Sequence, residues 1–110
     1  MIFFKDLEIS PFELDSYIQQ KEELLLLDVR EEIEFVFCKI SDSINIPLRN
    51  LAQDLQMMET DKPIVTLCHH GVRSLQAAHM LRAHGFDNVA SLKGGLDQWA
   101  RDVSPSMPRY

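Results

Sequence analysis

Ile64-Val65-Thr66-Leu67-Cys68-His69-His70-Gly71-Val72-Arg73 joins a short apolar run to a helix-like run, Ser74 to Leu81 (SLQAAHML). The first four residues have the pattern of a buried strand, and the stretch from Ser74 has that of a helix. A cysteine between them sits where main-chain N–H groups are free and where the helix dipole favours negative charge. Such a position stabilises the thiolate, the nucleophilic form of cysteine. The loop therefore points to nucleophilic cysteine chemistry.

Working outward, Ser10-Pro11-Phe12-Glu13 is a helix start, with a capping serine, proline at the first helical position and glutamate three after the cap. That helix is expected to run to about Gln20. Leu24 to Asp28 (LLLLD) is a continuous apolar run, the pattern of a parallel strand covered on both faces. Glu31 to Phe37 predicts a short helix, Ile44 to Ile46 a short strand closed by Pro47, and Arg49 to Met58 another helix. The helix after the cysteine loop should end at Gly85, followed by a strand over Val89 to Leu92, then Gly94-Gly95 and a last helix through Trp99. The tail from Val103, with two prolines, predicts irregular structure.

Strands alternating with helices at this spacing predict an α/β fold, a mostly parallel sheet flanked by helices on both faces, as one domain over residues 1–110. Chemistry in such sheets gathers at the carboxyl ends of the strands. Asp28, Cys68 and Lys93-Gly94-Gly95 all fall just past strand ends, and the pattern places them on one edge.

Composition narrows the function. Eleven basic against 17 acidic residues give a net charge of −6, with no Lys/Arg cluster to offset it, which argues against nucleic-acid binding. The glutamates at 22, 23, 31, 32 and 34 read as solvated surface and helix N-terminal charge. No apolar run is long enough to span a membrane, and MIFFKDLEIS is too short in its apolar part for a signal peptide. Two cysteines without paired spacing make neither a disulfide framework nor a zinc site. A cytoplasmic location is the expectation.

Four blocks occur in order along nearly the whole chain: Leu27-Asp28-Val29-Arg30-Glu31, Asn45-Ile46-Pro47-Leu48, Cys68-His69-His70-Gly71-Val72-Arg73-Ser74, and Leu92-Lys93-Gly94-Gly95 with Trp99. Together they make the sequence resemble a single-domain rhodanese, a sulfurtransferase. Where that family usually has Gly-His-Ile and Gly-Ala, this chain has Cys38-Lys39-Ile40 and Asp42-Ser43. The expected position of that segment, Cys38 included, is the edge away from the cysteine loop. Cys38 reads as a small buried apolar residue, with a resolving thiol as the alternative.

The resemblance implies a Cys68 persulfide, made from a donor such as thiosulfate and passed to cyanide or a thiol. Amides from His69 to Arg73 are expected to ring it, with Gly71 supplying the turn and Val72 completing the loop. Arg73 has two readings: an anchor for an anionic donor, or a brace for the loop through a carboxylate such as Asp28. Asp28, Arg30 and Ser74 are supporting residues, Arg30 and Glu31 either pairing on the surface or positioning the loop. His69 and His70 need not act as acid or base; they furnish loop amides and partial positive charge near neutral pH. A Cys68/His69/His70 metal site is not expected, because adjacent side chains should diverge, and no cofactor is implied.

Cysteine phosphatases use a similar loop one residue longer; four residues between Cys68 and Arg73 suit a single sulfur better than a tetrahedral phosphate. Three functions remain open: an enzyme moving sulfur between small molecules, a persulfide carrier serving a protein acceptor, and a rhodanese-like interaction module. Such modules often lack the cysteine or the arginine, and both are present here.

Overall fold

In the computed structural model, which describes residues 1–110, all strands pair in parallel in one five-stranded sheet. The strands are β1 (Glu8–Ile9), β2 (Leu25–Asp28), β3 (Ile44–Asn45), β4 (Ile64–Leu67) and β5 (Val89–Leu92), in spatial order β1-β5-β4-β2-β3. The helices are α1 (Pro11–Gln19), α2 (Glu32–Phe37), α3 (Leu48–Asp54), α4 (Val72–Ala83) and α5 (Gly95–Asp102).

The unbroken apolar runs follow from burial on both faces. Alternate residues Leu26, Val65, Leu67, Ala90 and Leu92 pack with Leu14 of α1 and with Leu96 and Trp99 of α5. Their neighbours Leu27, Ile64 and Val89 pack on the other face with Leu51 of α3 and with Ala77, Ala78 and Leu81 of α4. Cys68 belongs to this second layer, continuing the alternation one residue past β4. The fold class is as the pattern of strands and helices implies.

The ends of elements follow local chemistry. Ser10 and Glu13 form the reciprocal capping box at α1. Gly85, at φ +101°, closes α4 with bonds from Gly85 N–H to the Arg82 carbonyl and from Phe86 N–H to the Leu81 carbonyl. Two expectations shift. The helix expected over Arg49–Met58 holds as an α-helix only to Asp54, then tightens into a 3-10 turn over Leu55–Met57. Leu51 and Leu55 are its buried contacts, and beyond them Met57 faces water. The helix expected from Ser74 begins at Val72, because Gly71 at φ +100° turns the chain into it earlier.

Strand β1 has no counterpart in the sequence reading. Two residues are too few to show alternation, and tertiary bonds hold them: Ser91 N–H to the Leu7 carbonyl (2.7 Å) and Lys93 N–H to the Ile9 carbonyl (2.8 Å). No helix is long and apolar enough to cross a membrane.

Candidate active site

Parallel register aligns Asp28 with Leu67, so the residues after β2 and β4 emerge side by side at the carboxyl edge. Cys68 is the first residue beyond β4 and is 1% exposed. Its sulfur accepts the Gly71 N–H at 3.1 Å and the Ser74 N–H at 3.2 Å. Ser74 Oγ lies 3.3 Å away, where it accepts from the thiol. The same hydroxyl meets Ser91 Oγ at 2.7 Å, a contact in which either oxygen can donate. That freedom lets the Ser74 hydroxyl turn round and donate to sulfur when the proton leaves. Thr66 Oγ1 donates to the Ser74 carbonyl and fixes the first turn of α4 beneath the cysteine.

Of the His69 to Arg73 amides expected to ring the sulfur, that of Gly71 reaches it, and the second donor is the Ser74 amide, one residue beyond that range. Ser74 is therefore a direct contact rather than a support. Val72 is 75% exposed, and its side chain faces away from the thiol.

The loop is held from below by α5. Leu96 N–H donates to the Cys68 carbonyl (2.8 Å) and Asp97 N–H to the His69 carbonyl (3.0 Å). This leaves no space for a side chain at Gly95, whose φ is +64°. A Cβ there would collide with the His69 carbonyl and stand 2.6 Å from the Cys68 carbonyl. The Gly94-Gly95 pair thus serves both as a turn into α5 and as a close pass under the loop.

Arg73 is a brace, but its carboxylate is not Asp28. Glu34 of α2 accepts from both terminal guanidinium nitrogens, Nη1 and Nη2, at 2.6 and 3.0 Å. The Arg73 bond holds the Glu34 carboxyl at about 2, well below its usual range, against the opposing effect of burial. Glu34 is thus part of the site rather than solvated surface.

Asp28 is already spent on Arg30: Nη2 to Oδ2 at 2.7 Å and Nε to Oδ1 at 2.9 Å, both side chains fully buried. The remaining Arg30 donors go to the carbonyls of Cys38 and Glu34 and to the Tyr110 hydroxyl at 2.9 Å. Arg30 does not pair with Glu31, which holds Arg49 at the surface. Arg30 instead lies under the site and joins β2, α2 and Tyr110.

Cys38 is buried and free, but it is not at the far edge. Its sulfur lies 3.8 Å from Arg30 Nη1, and it lines one small crevice with His69 and Tyr110. The reason is the length of α2: six residues at ~1.5 Å rise end before the chain has crossed back to the amino edge.

His69 and His70 do not diverge. Their rings lie 3.9 Å apart, and the Tyr110 ring stacks on His69 at 3.9 Å with planes 9° apart. Burial, with the His70 charge second, lowers the His69 pKa below 6.5, and its Nε2 is buried without a partner. His70 is largely exposed, with Nε2 3.9 Å from Asp97 Oδ2. His69, His70 and Asp97 thus form a cluster, but Asp97 is already engaged by Arg101 and Arg109 at 3.1 and 3.0 Å.

Three contributors carry little signal in the sequence. Glu34 is one of several early glutamates, Ser91 lies inside an apolar strand, and Tyr110 lies in an irregular tail.

Comparison with known proteins places this arrangement. The chain is 31% identical to the thiosulfate sulfurtransferase GlpE of Actinobacillus pleuropneumoniae, covering 94% of each chain. It is 33% identical to the adenylyltransferase and sulfurtransferase MOCS3 of Arabidopsis thaliana over 93% of its own length, but spans only 25% of that relative. The crystal structure of a rhodanese-related protein from Thermoplasma volcanium superposes with a TM-score of 0.81 at 33% identity, covering 91% of this chain and 96% of the other. A family model described as rhodanese-like domain matches residues 10–102. The chain belongs to the rhodanese-like domain family.

Proposed function

We propose that this protein is a sulfurtransferase that carries sulfane sulfur on Cys68. The Cys68 thiolate attacks the outer sulfur of thiosulfate, the donor S–S bond breaks, and sulfite leaves with the bonding pair. A thiolate acceptor then attacks the outer persulfide sulfur, taking it as a new persulfide and returning Cys68 as thiolate; cyanide leaves as thiocyanate. The observation that carries this reading is the convergence of the Gly71 and Ser74 N–H groups on the sulfur of Cys68. Donors fixed before reaction stabilise negative charge without reorganising. The sulfur lies at the floor of a loop with four residues between cysteine and arginine, which supports a sulfur atom as cargo.

Arg73, neutralised by Glu34, acts as the brace of the loop, and the donor's anionic end is met by main-chain N–H groups and His70. The chemistry needs no metal or organic cofactor.

Intact mass after incubation with thiosulfate tests the proposal. Wild type gains one sulfur atom and Cys68→Ser gains none; an unmodified wild-type mass leaves the fold serving as an interaction module.

A second reading, transfer to a protein acceptor, has its own support. Ile33, Val36 and Phe37 of α2 are exposed beside the site, at 81%, 76% and 53%. Slow turnover with cyanide together with fast transfer to a protein thiol distinguishes it.

A further inference from the structure

Ser91 is a hydroxyl set inside an apolar strand, fully buried between Ala90 and Leu92. Alternation along β5 turns it, like Thr66 beside it in register, towards the face that carries Cys68 and α4. Both hydroxyls act on one residue. Thr66 Oγ1 donates to the Ser74 carbonyl at 2.7 Å, and Ser91 Oγ lies 2.7 Å from Ser74 Oγ. Ser74 Oγ in turn lies 3.3 Å from the Cys68 sulfur. Ser74 is the one hydrogen-bond partner of the Ser91 hydroxyl.

Three atoms in sequence, the sulfur, Ser74 Oγ and Ser91 Oγ, offer two hydrogen bonds. The thiol form brings three hydrogens to those two links, so one of them stays unplaced in the interior. The thiolate form brings two, and both are placed: Ser91 donates to Ser74, and Ser74 donates to the anion. A persulfide on Cys68 likewise has no hydrogen on that sulfur. A serine in the first turns of a helix otherwise bonds back to a main-chain carbonyl three or four residues earlier. The contact with Ser91 keeps the Ser74 hydroxyl beside the sulfur instead.

Charges around the sulfur are settled separately. Arg73 of α4, which feels the cysteine, is held by Glu34 of α2. Asp28 of β2 is locked to Arg30 and by alternation belongs to the other face of the sheet. The loop adds His69 and His70, and α5 meets it through main-chain amides, its Asp97 carboxylate taken by Arg101 and Arg109. The α3 and strand residues packed in the layer of Cys68 are apolar or carry hydroxyls.

We propose that Ser91 is a positioning residue for Cys68, acting through Ser74: it holds the Ser74 hydroxyl as a donor to the anionic sulfur. This deepens the proposed function, in which thiolate and persulfide are the working states. It is tested apart from that function, because the thiolate can be read without any sulfur transfer.

The test is the pH profile of Cys68 alkylation by iodoacetamide in wild type, Ser91→Ala, Ser91→Val and Ser91→Thr. Rates are followed on the Cys68 peptide by mass, which separates it from Cys38. Valine and threonine share a shape and differ in the hydroxyl, so comparing them cancels packing. In Ser91→Ala and Ser91→Val the pH of half-maximal rate is expected to rise by about one unit, a tenfold loss at neutral pH, the scale of one hydrogen bond to a charged group. The plateau rate at high pH, where all of the sulfur is thiolate, stays at the wild-type value. Ser91→Thr keeps the wild-type profile.

An unmoved midpoint in Ser91→Ala and Ser91→Val overturns the proposal. So does a change in the plateau alone, which reports loosened packing, or a threonine variant that shifts as far as the valine one. An equal loss of unfolding midpoint in the valine and threonine variants leaves their comparison intact. A shifted profile in a protein that gains no sulfur from thiosulfate keeps the role of Ser91 and removes the sulfurtransferase; a sulfur gain with an unshifted profile does the reverse.

Discussion

Glu34 clasps Arg73 through two parallel hydrogen bonds, so the arginine that ends the cysteine loop is charge-compensated before any substrate arrives. Glu34→Gln keeps the shape and releases the charge. With thiosulfate as donor, the freed guanidinium is expected to lower KM while the slackened loop lowers kcat. Arg73→Lys cannot reproduce the two-pronged contact, so kcat should fall without a gain in KM. Steady-state kinetics separate the two, and a raised KM in Glu34→Gln contradicts the brace.

The same pair sets an acid limit. The folded Glu34 carboxyl titrates at about 2 against an ordinary 4.5, chiefly because of the Arg73 bond. A carboxyl with a depressed folded pKa contributes stability that is complete above its unfolded value and drains away as pH falls through its folded one. Wild type should therefore exceed Glu34→Gln in denaturant midpoint above pH 4.5, and the gap should close between there and about pH 2. A gap that is independent of pH assigns the difference to shape rather than charge.

Gly95→Ala is expected to disable the site from outside it. The residue sits at φ +64°, where a side chain is strained by roughly 1–3 kcal/mol, and the added methyl meets the carbonyls of Cys68 and His69. Stability should drop by more than the strain alone, with the persulfide yield falling alongside. Gly85→Ala is the control: its φ is also positive, but nothing stands within 4 Å of the new methyl. Thermal melts and persulfide mass should show a loss of persulfide confined to Gly95→Ala.

Ser74→Ala removes the hydroxyl beside the sulfur and leaves the buried Ser91 hydroxyl without its partner. An orphaned buried polar group costs about 1–3 kcal/mol. The double change Ser74→Ala with Ser91→Ala removes both ends and should recover most of that stability while leaving the rate of persulfide formation low. If the rate recovers along with stability, the hydroxyl has no direct part at the sulfur.

The layered sheet and the cysteine edge were legible because long-range packing here agrees with local pattern. Apolar runs such as Leu24–Asp28 signal strands covered on both sides, and the capping residues at Ser10 and Gly85 signal where helices start and stop. The brace was only half legible. An arginine at the end of such a loop suits an anionic donor or a bracing carboxylate, and Asp28 is one that its strand-end position offers, whereas the fold commits Asp28 to Arg30 in the interior. Glu34 could be chosen only once α2 was known to lie over the loop. Cys38 departs from its expected edge for a related reason, since strand order says nothing about a helix too short to cross the sheet. Tyr110 carried no pattern at all, and its position depends on three distant residues, His69, Glu34 and Arg30.

The grip of Leu96 and Asp97 amides on the carbonyls of Cys68 and His69 also governs timing. A ribosome makes Cys68 well before it makes α5, so the nascent thiol has no settled surroundings while most of the sheet is already available. The loop that begins at Cys68 therefore takes its settled shape only when α5 docks beneath it.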